Sequence, residues 1–361
     1  MWWAAAYTEP VSLPPADLVR PGAVAESLTH NTLNAVTAGI WRIADGGASA
    51  ILKLIQPRRD DAPGHWQSGH EPGHWNYWRR EELAYRSGLA DTCYRNAGIR
   101  APRLLSVSER DDGSVAMWLE DVVGVPGPRI APEQLGDVAY RLGRAHATWV
   151  GRSPGHDWLS RDWLRSYTLS RPVTEPLGWD HPLAVQAWPA RLRADLAALW
   201  ERRHDVLAAT DRLPQTLCHH DVWPMNLVLQ DAGPVLLDWA FVGTGPIGED
   251  AANLVLDSFF DGLIDPGGVD EVVAAVLDGY EQALAGVLPP AEIRRAVRLT
   301  GAAKYFWLAP RMLSVAVHGP APVAAPSYDT RTPAAMFAGR RPPLELVAAW
   351  FRLALPELAT R

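Results

Sequence analysis

Three polar side chains in the second half of the chain, Asp221, Asn226 and Asp238, have the types and spacing of a site for metal and phosphate. Between Asn226 and Asp238 lie two short apolar runs and an Asp-Ala-Gly turn at 231–233, which together predict a β-hairpin. A hairpin brings its ends together, so Asn226 and Asp238 should lie side by side, with Asp221 on the loop before the first strand. Two carboxylates and an amide supply the oxygen ligands that Mg²⁺ prefers when phosphates and water fill its other positions.

This arrangement suits phosphoryl transfer. Asp221 would orient an attacking hydroxyl and accept its proton, while Asn226 and Asp238 would hold metal on the β- and γ-phosphates. An ordinary polar turn is the alternative, because the spacing of Asp221 and Asn226 alone occurs by chance in many chains. A metal site made by His219 and His220 is disfavoured, since neighbouring loop residues rarely converge on one ion and no cysteine cluster accompanies them.

The stretch resembles the aminoglycoside phosphotransferase and choline kinase superfamily, relatives of the protein kinases, whose loop H-G-D-x-x-x-x-N is followed by an I-D-W or D-F-G aspartate. The matching residues here are His219, Asp221, Asn226 and Asp238-Trp239, with His220 in place of the usual Gly or Arg. The resemblance extends over 23–250. It implies an α+β, two-lobe protein-kinase-like fold, with an antiparallel five-stranded sheet and one main helix in the N-terminal lobe and a larger, mostly helical C-terminal lobe. It also implies ATP and Mg²⁺ as cofactors, and His219 and Asp250 as supports of the catalytic loop; a helix cap is the alternative for Asp250.

Composition bounds the remaining possibilities. A chain of 361 residues exceeds the usual size of a single core, so we expect two lobes, at 1–121 and 122–361. The contents of 48% hydrophobic and 21% charged residues are those of an ordinary globular protein. The net charge of −7 argues against a nucleic-acid partner. The sequence contains no run of about 18 apolar residues, so we expect no membrane span. Two cysteines are too few for a disulfide framework and the N-terminus lacks a signal peptide's basic start, so we expect a cytoplasmic protein.

Lysine is rare in this chain: only Lys53 and Lys304 occur among 34 basic residues. A lysine that persists among arginines marks a candidate site for a compact ammonium. Lys53 falls in the third of three predicted strands (23–29, 35–43 and 49–55), with Leu52 and Leu54 facing the core. In the kinase template such a lysine reaches the nucleotide phosphates and pairs with a helical glutamate. A snorkelling surface lysine is the alternative. The sequence assigns no role to Lys304. This residue either approaches the substrate cleft or is an ordinary surface residue.

A helix is predicted to begin at Asn76 as its N-cap. One face of this helix carries Trp78, Glu81, Glu82, Tyr85 and Leu89. The resemblance to the superfamily's R-E-x-x-x-Y helix favours Glu81 as the partner of Lys53, with Glu82 as the alternative. Arg79, Arg80 and the remaining glutamate are expected on a solvated charged face.

The nucleotide is expected at two further places in the N-terminal lobe. The loop 30–34 should cover the triphosphate, with Asn31, Thr32 and Asn34 as contacts, although a plain β-turn fits it equally well. After strands predicted at 101–110 and 113–121, the run MWLEDVVG resembles the superfamily's hinge, so backbone groups of Glu120 and Val122 would bind adenine. The Pro-rich segment 1–22 is expected as an arm on this lobe, and the histidine-containing segment 56–75 as a flap beside the site.

Helices are expected from 132 onwards. Five tryptophans between 155 and 215 fit core packing better than a substrate platform. The Ala/Pro-rich stretch 320–337 is expected as a surface loop. Only eleven residues separate Asp238 from Asp250, so a kinase-length activation loop is excluded.

These features predict an ATP- and Mg²⁺-dependent O-phosphotransferase. The first expected acceptor is a small hydroxylated molecule such as an aminoglycoside or amino sugar, because four acidic residues near the acceptor side (Glu249, Asp250, Asp257 and Asp261) would suit a cation; a solvated face explains them too. The alternatives are a Ser/Thr kinase acting on a precursor peptide and a nucleotide-binding pseudokinase. A closed acidic pocket would favour a small cation, and a long open groove a peptide.

Overall fold

The computed structural model describes residues 13–60, 62–319 and 329–358. Residues 1–12 lie outside the described residues. They include the start of the expected N-terminal arm and the segment that lacks the pattern of a signal peptide. Residues 320–328 of the expected surface loop at 320–337 also lie outside the described residues. The last five residues of that stretch, 333–337, belong to a helix (Pro333–Gly339) instead. Within the described ranges, no helix is both long enough and apolar enough to cross a membrane.

The N-terminal lobe is built on a five-stranded antiparallel sheet in the order β1-β2-β3-β5-β4. Its strands are β1 (Val24–Ser27), β2 (Thr37–Asp45), β3 (Ala48–Ile55), β4 (Leu104–Glu109) and β5 (Val115–Glu120). On one face, Leu52 and Leu54 pack with Trp41 beneath Leu18 and Val19 of the N-terminal arm. Because side chains alternate along a strand, Lys53 faces the opposite side.

The helix of this lobe differs from its predicted bounds. It is α1 (Arg80–Arg86), followed by a separate short helix α2 (Leu89–Thr92). Asn76 is not an N-cap, because its side-chain amide donates to Asn34 and to the carbonyl oxygens of Trp66 and Gln67.

The expected solvated face of α1 is wrong in two places. Arg80 and Glu82 are both buried, at 0% and 1% exposure. Glu82 forms ion pairs with Arg79 and Arg86, which cover it from the solvent side.

The C-terminal lobe is mostly helical, with two small sheets. The sheets contain β6 (Val125–Pro126) with β8 (Leu227–Gln230) and β9 (Gly233–Leu236), and β7 (Gln215–Cys218) with β10 (Gly243–Pro246). The helices are α3 (Pro132–Trp149), α4 (Trp163–Leu169), α5 (Pro182–Ala187), α6 (Ala190–Glu201), α7 (Arg203–Thr210), α8 (Glu249–Phe260), α9 (Val269–Leu284), α10 (Pro290–Tyr305), α11 (Leu308–His318), α12 (Pro333–Gly339) and α13 (Arg341–Leu358). The expected two-lobe α+β architecture is confirmed.

One hydrophobic core runs through both lobes, from Ile55 and Met117 on the sheet to Leu254 and Trp350 in the helices. The tryptophans of 155–215 mostly belong to it: four of the five are buried, namely Trp158, Trp163, Trp188 and Trp200. Core packing therefore explains most of these residues.

Candidate active site

The hairpin β8–β9 positions the first part of the site. Its strands pair Leu227 with Leu236 and Gln230 with Gly233. At its open end the Leu237 N–H donates to the Asn226 carbonyl oxygen at 2.9 Å, which places Asp238 beside Asn226. The Asn226 amide donates to Asp221 Oδ2 at 2.7 Å and to the Asp221 carbonyl oxygen at 3.1 Å. Asp221, Asn226 and Asp238 all line one cavity.

Asp250, near the start of α8, holds the loop that carries Asp221. Its two carboxylate oxygens accept the main-chain N–H groups of His219 (2.7 Å) and His220 (2.8 Å). The Asp250 side chain also lies 3.2 Å from His146 Nε2. Because the Asp250 carboxylate only accepts, His146 donates to it from Nε2, while the Tyr280 hydroxyl contacts His146 Nδ1 at 2.7 Å and accepts from the Gly248 N–H. Burial acts to raise the pKa of Asp250, but the hydrogen bond from His146 and the electrostatic effect of the neighbouring His146, His220 and His219 rings outweigh it and lower that pKa.

His220 itself adopts an unusual backbone conformation. Its φ of 70° lies in the left-handed region, where a non-glycine residue is disfavoured. The His220 ring stacks on the Trp163 ring at a centroid distance of 5.0 Å, and its Nδ1 forms a hydrogen bond with Glu249 Oε1 at 3.0 Å. A Cβ at Gly245 would lie 2.4 Å from His220 Cε1, so β10 needs a glycine opposite this ring. The His-for-Gly replacement in the loop is thus accommodated by neighbouring packing.

The titration of Asp221 reflects this enclosed setting. Burial and the nearby Asp238 carboxylate raise its pKa to about 8, against the opposing effect of Lys304. A carboxyl group with a raised pKa is a stronger base once it is deprotonated, which suits it to accept a proton from a hydroxyl.

Lys53 lies between two carboxylates. Its ammonium is 2.5 Å from Glu81 Oε2 and 3.1 Å from Asp238 Oδ1, and its side chain is only 5% exposed. Burial acts to lower the pKa of Lys53, but Asp238 and Glu81 outweigh it and raise the pKa above its usual value, so the ammonium stays charged. Burial raises the pKa of Glu81, and Lys53 opposes that shift. The structure therefore pairs Lys53 with Glu81 rather than with Glu82.

The oxygens around Asp238 suit a hard divalent cation. Asp238 adopts a left-handed φ of 56°, which turns its side chain into the cleft. Among the described residues, no hydrogen-bond donor contacts Asn226 Oδ1 or Asp238 Oδ2. Both oxygens remain available, and Asp221 adds carboxylate oxygen beside them. This donor set fits Mg²⁺, which takes oxygen ligands and leaves positions for phosphate and water.

Lys304 is the residue that the sequence left without a role. It is 3% exposed, and its ammonium donates to the His220 carbonyl oxygen at 2.7 Å and to Asn253 Oδ1 at 2.9 Å. Glu249 Oε1 lies 3.6 Å away, and the ring of Trp163 lies beneath the charge at 4.6 Å. Its rarity was the only signal in the sequence, and both lysines of the chain line the same cavity.

Arg80 is a second feature that sequence reasoning missed. Its guanidinium donates to five main-chain carbonyl oxygens, of Pro72, His74, Trp75, Trp158 and Ala240. Two of these lie in the C-terminal lobe, so the residue beside Glu81 ties α1 to both lobes. Burial lowers its pKa to about 9.

Two groups of potential metal ligands surround the loop as well. Cys218 lies with His220 and Glu249 in one and with His146 and Asp250 in the other, with ligand atoms within 4.8 Å of one another. Burial raises the pKa of Cys218 well above its usual value, which keeps the thiol protonated, and the other members are engaged in the hydrogen bonds given above. We therefore read both groups as supports of the loop.

The loop at 30–34 contributes only part of the expected contacts. Asn31 and Asn34 line the cavity, whereas Thr32 does not. Both asparagine side-chain oxygens accept main-chain N–H groups, Asn31 from Leu33 and Asn34 from Val36. These side chains therefore shape the loop, and the role of the loop in nucleotide binding remains a prediction.

The expected hinge follows β5. Glu120 and Val122 line the cavity. The Glu120 N–H is engaged with the Arg103 carbonyl oxygen at 2.9 Å, and its carboxylate binds Arg100. An adenine contact at Glu120 is thus limited to its carbonyl oxygen.

The cavity has a volume of about 1100 Å³ and extends past Asp221 to a second set of walls. There it is bounded by α4, α8, α10, α11 and α12, together with Trp66 of the segment 56–75. Of the four acidic residues expected here, Glu249 and Asp250 face the catalytic loop, while Asp257 and Asp261 line the cavity. The acceptor end is enclosed on several sides, as a binding pocket for a small molecule requires.

Comparison with known proteins identifies the family. The model of the phosphotransferase enzyme family called APH matches residues 88–290, more than half of the chain. This chain belongs to that phosphotransferase family. It acts on a hydroxyl group as phosphoryl acceptor, and the superfamily resemblance drawn from the loop motif is confirmed. No curated protein matches this sequence.

Solved structures with the same fold support the two-lobe assignment of this phosphotransferase. An aminoglycoside phosphotransferase from Alicyclobacillus acidocaldarius is 18% identical, with a TM-score of 0.57 over 98% of this chain and 99% of that one. A microcompartment-associated aminopropanol kinase is 16% identical, with a TM-score of 0.51 over 95% of each chain. At these identities the likeness shows the fold, and the kinase-like expectation is confirmed.

Proposed function

We propose that this phosphotransferase uses ATP and Mg²⁺ to phosphorylate a hydroxyl of a small molecule. The observation that carries the proposal is the convergence of Asp221, Asn226 and Asp238 with the Lys53–Glu81 pair at one cavity. A pseudokinase would be expected to have lost one of these groups. We also propose the lobe boundary at 121/122, after the hinge strand β5.

Each residue has a distinct task in the reaction. Asp221 would orient the acceptor hydroxyl and take its proton as the oxygen bonds to the γ-phosphorus, while the bond from that phosphorus to the bridging oxygen breaks and ADP leaves. Asn226 and Asp238 would hold Mg²⁺, and the bound ion would supply positive charge to neutralise the phosphate oxygens. Lys53, oriented by Glu81, donates hydrogen bonds to the α- and β-phosphates. Asp250 and His219 keep the main chain before Asp221 in place.

The decisive experiment measures ATP consumption against a panel of aminoglycosides, amino sugars, hydroxylated acids and Ser/Thr peptides. Asp221→Asn should slow phosphoryl transfer by about 10²-fold or more, because it removes the base. Asp231→Asn is the matched control, since this exposed carboxylate sits in the turn of the same hairpin. A fully active Asp221→Asn enzyme would contradict the assignment, and turnover of peptides alone would replace the small-molecule acceptor with a protein one.

A further inference from the structure

Two guanidinium groups at the acceptor end of the cavity have no carboxylate partner among the described residues. Arg171, just beyond α4, is 8% exposed and donates to the Ser170 hydroxyl (3.0 Å) and to the carbonyl oxygens of Tyr167 (3.1 Å) and His65 (3.2 Å). Arg311, in α11, donates to the Pro172 carbonyl oxygen at 3.2 Å. These carbonyl groups accept hydrogen bonds but do not neutralise the two charges.

Other buried cations of the chain are satisfied differently. Lys53 and Arg340 pair with carboxylates, and Arg80 binds five carbonyl oxygens away from the cavity. Arg311, by contrast, lines the cavity, and no acceptor in the described ranges contacts its Nε or Nη2. Arg171 is buried without a counter-ion, and the partly exposed Arg311 keeps free donor nitrogens beside it, so this pair of arginines can bind an anion.

The surroundings add no negative charge to this wall. Burial, Arg171 and Arg311 together lower the pKa of His65 to about 4, so its imidazole is neutral near pH 7. The arrangement is therefore positively charged and open to the cavity.

The carboxylates across the cavity are already engaged. Asp257 accepts a hydrogen bond from Asn253 and Asp261 forms an ion pair with Arg340 at 3.2 Å. Burial raises the pKa of Asp257 to about 6, which still leaves this carboxyl group mostly ionised near pH 7. Two of the acidic residues expected to suit a cation thus line this end of the cavity, but each is already held by a neighbouring side chain.

Aromatic rings form the remaining wall. The Arg171 guanidinium lies over Tyr167 at 4.1 Å and over Trp66 at 4.3 Å, and Trp307 packs edge-on against Tyr167. Stacking on ring faces fixes the orientation of Arg171 and leaves apolar surface beside it.

Building on the proposed function, we infer that the acceptor is a hydroxylated molecule with an apolar or aromatic body and a carboxylate group. Arg311 and Arg171 bind the carboxylate, the rings of Trp66, Tyr167 and Trp307 contact the body, and the hydroxyl faces Asp221. The preferred acceptors are thus hydroxy acids rather than polyamines.

Three probes that share one ring and one chain test this inference: 3-phenylpropanoate, 3-phenylpropanamide and 3-phenylpropylamine. Binding to the full chain without nucleotide is measured by calorimetry. The acid should bind about tenfold or more tightly than the amide, because charge-assisted hydrogen bonds are the stronger ones, and the amine should bind most weakly. Equal binding of the three, a preference for the amine, or no binding of the acid overturns the inference.

Variants locate the effect. Arg311→Gln should abolish the preference for the acid, and Arg311→Lys should retain most of it, since lysine keeps the charge. Arg191→Gln, at a side chain that is 80% exposed, controls for net charge and should change nothing. An acid preference that survives in a folded Arg311→Gln variant also overturns the inference.

The proposed function is tested separately, by ATP consumption with hydroxylated forms of the acid and with aminoglycosides. Acid-selective binding without any phosphoryl transfer would count against the proposed function but would support anion binding by Arg171 and Arg311. Transfer to aminoglycosides without acid-selective binding would support the proposed function and overturn this inference.

Discussion

The ammonium of Lys304 donates to the main-chain carbonyl oxygen of His220 at 2.7 Å, one residue before Asp221. This contact links α10 to the loop on which the proposed base lies. Lys304 also lowers the pKa of Asp221, against the larger effect of burial that raises it. Lys304 thus acts on Asp221 in two ways, by holding the main chain and by placing a positive charge near the carboxyl group.

Lys304→Met should therefore change both rate and pH dependence. Without the cation, Asp221 holds its proton to higher pH, so the acid limb of kcat should move to higher pH, and kcat near pH 7 should fall by about tenfold or more. Steady-state kinetics across pH measures this. Arg298→Met, on the same helix, is the control and should leave the profile unchanged. A lower Tm with an unmoved acid limb would reduce Lys304 to a purely structural role.

The sequence predicted the hairpin and its polar ends well, because those depend on local apolar runs and on a turn. The rarity of lysine also marked both Lys53 and Lys304. Local patterns could not show that Arg80 is buried, because its five acceptors come from separate segments of the chain. The ion pair of Asp261 with Arg340 likewise depends on how α8 and α12 meet, and the contact of Arg311 with the Pro172 carbonyl oxygen depends on how α11 packs against the segment after α4. No short spacing encodes either contact.

Arg80→Met should destabilise the protein strongly. The substitution removes a charged donor from five buried main-chain acceptors, so we expect a loss of about 3 kcal/mol or more in the free energy of unfolding. Arg95→Met is the control in the same lobe, because the Arg95 side chain is 59% exposed and its ion pair with the equally exposed Asp91 contributes little. Urea denaturation followed by circular dichroism compares the two. Equal losses of unfolding free energy in both variants would show that the five buried hydrogen bonds of Arg80 do not stabilise the fold more than a surface ion pair does.

Asp250→Asn should reveal a stability term that depends on pH. The pKa of Asp250 is lower in the folded chain than in the unfolded one, so its ionisation stabilises the fold above about pH 4, near the unfolded pKa. That contribution is lost as pH falls further, toward the folded-state pKa. The difference in unfolding free energy between wild type and Asp250→Asn should be largest at pH 6–7 and should shrink below about pH 4. A difference that stays constant over this range would mean that Asp250 contributes through hydrogen-bond geometry alone.

The two glutamates of α1 give a final comparison. Glu81 pairs with Lys53, whereas Glu82 pairs with Arg79 and Arg86. In Glu81→Gln, Lys53 keeps only Asp238 as a charged partner, so it should move toward the metal ligand and away from the nucleotide phosphates. We expect KM for ATP to rise and kcat/KM to fall by about tenfold or more. Glu82→Gln should reduce stability but leave kcat/KM for ATP within about twofold. Initial rates at varied ATP concentration distinguish the variants. An equal loss of kcat/KM in both would show that Glu81 is not the functional partner of Lys53.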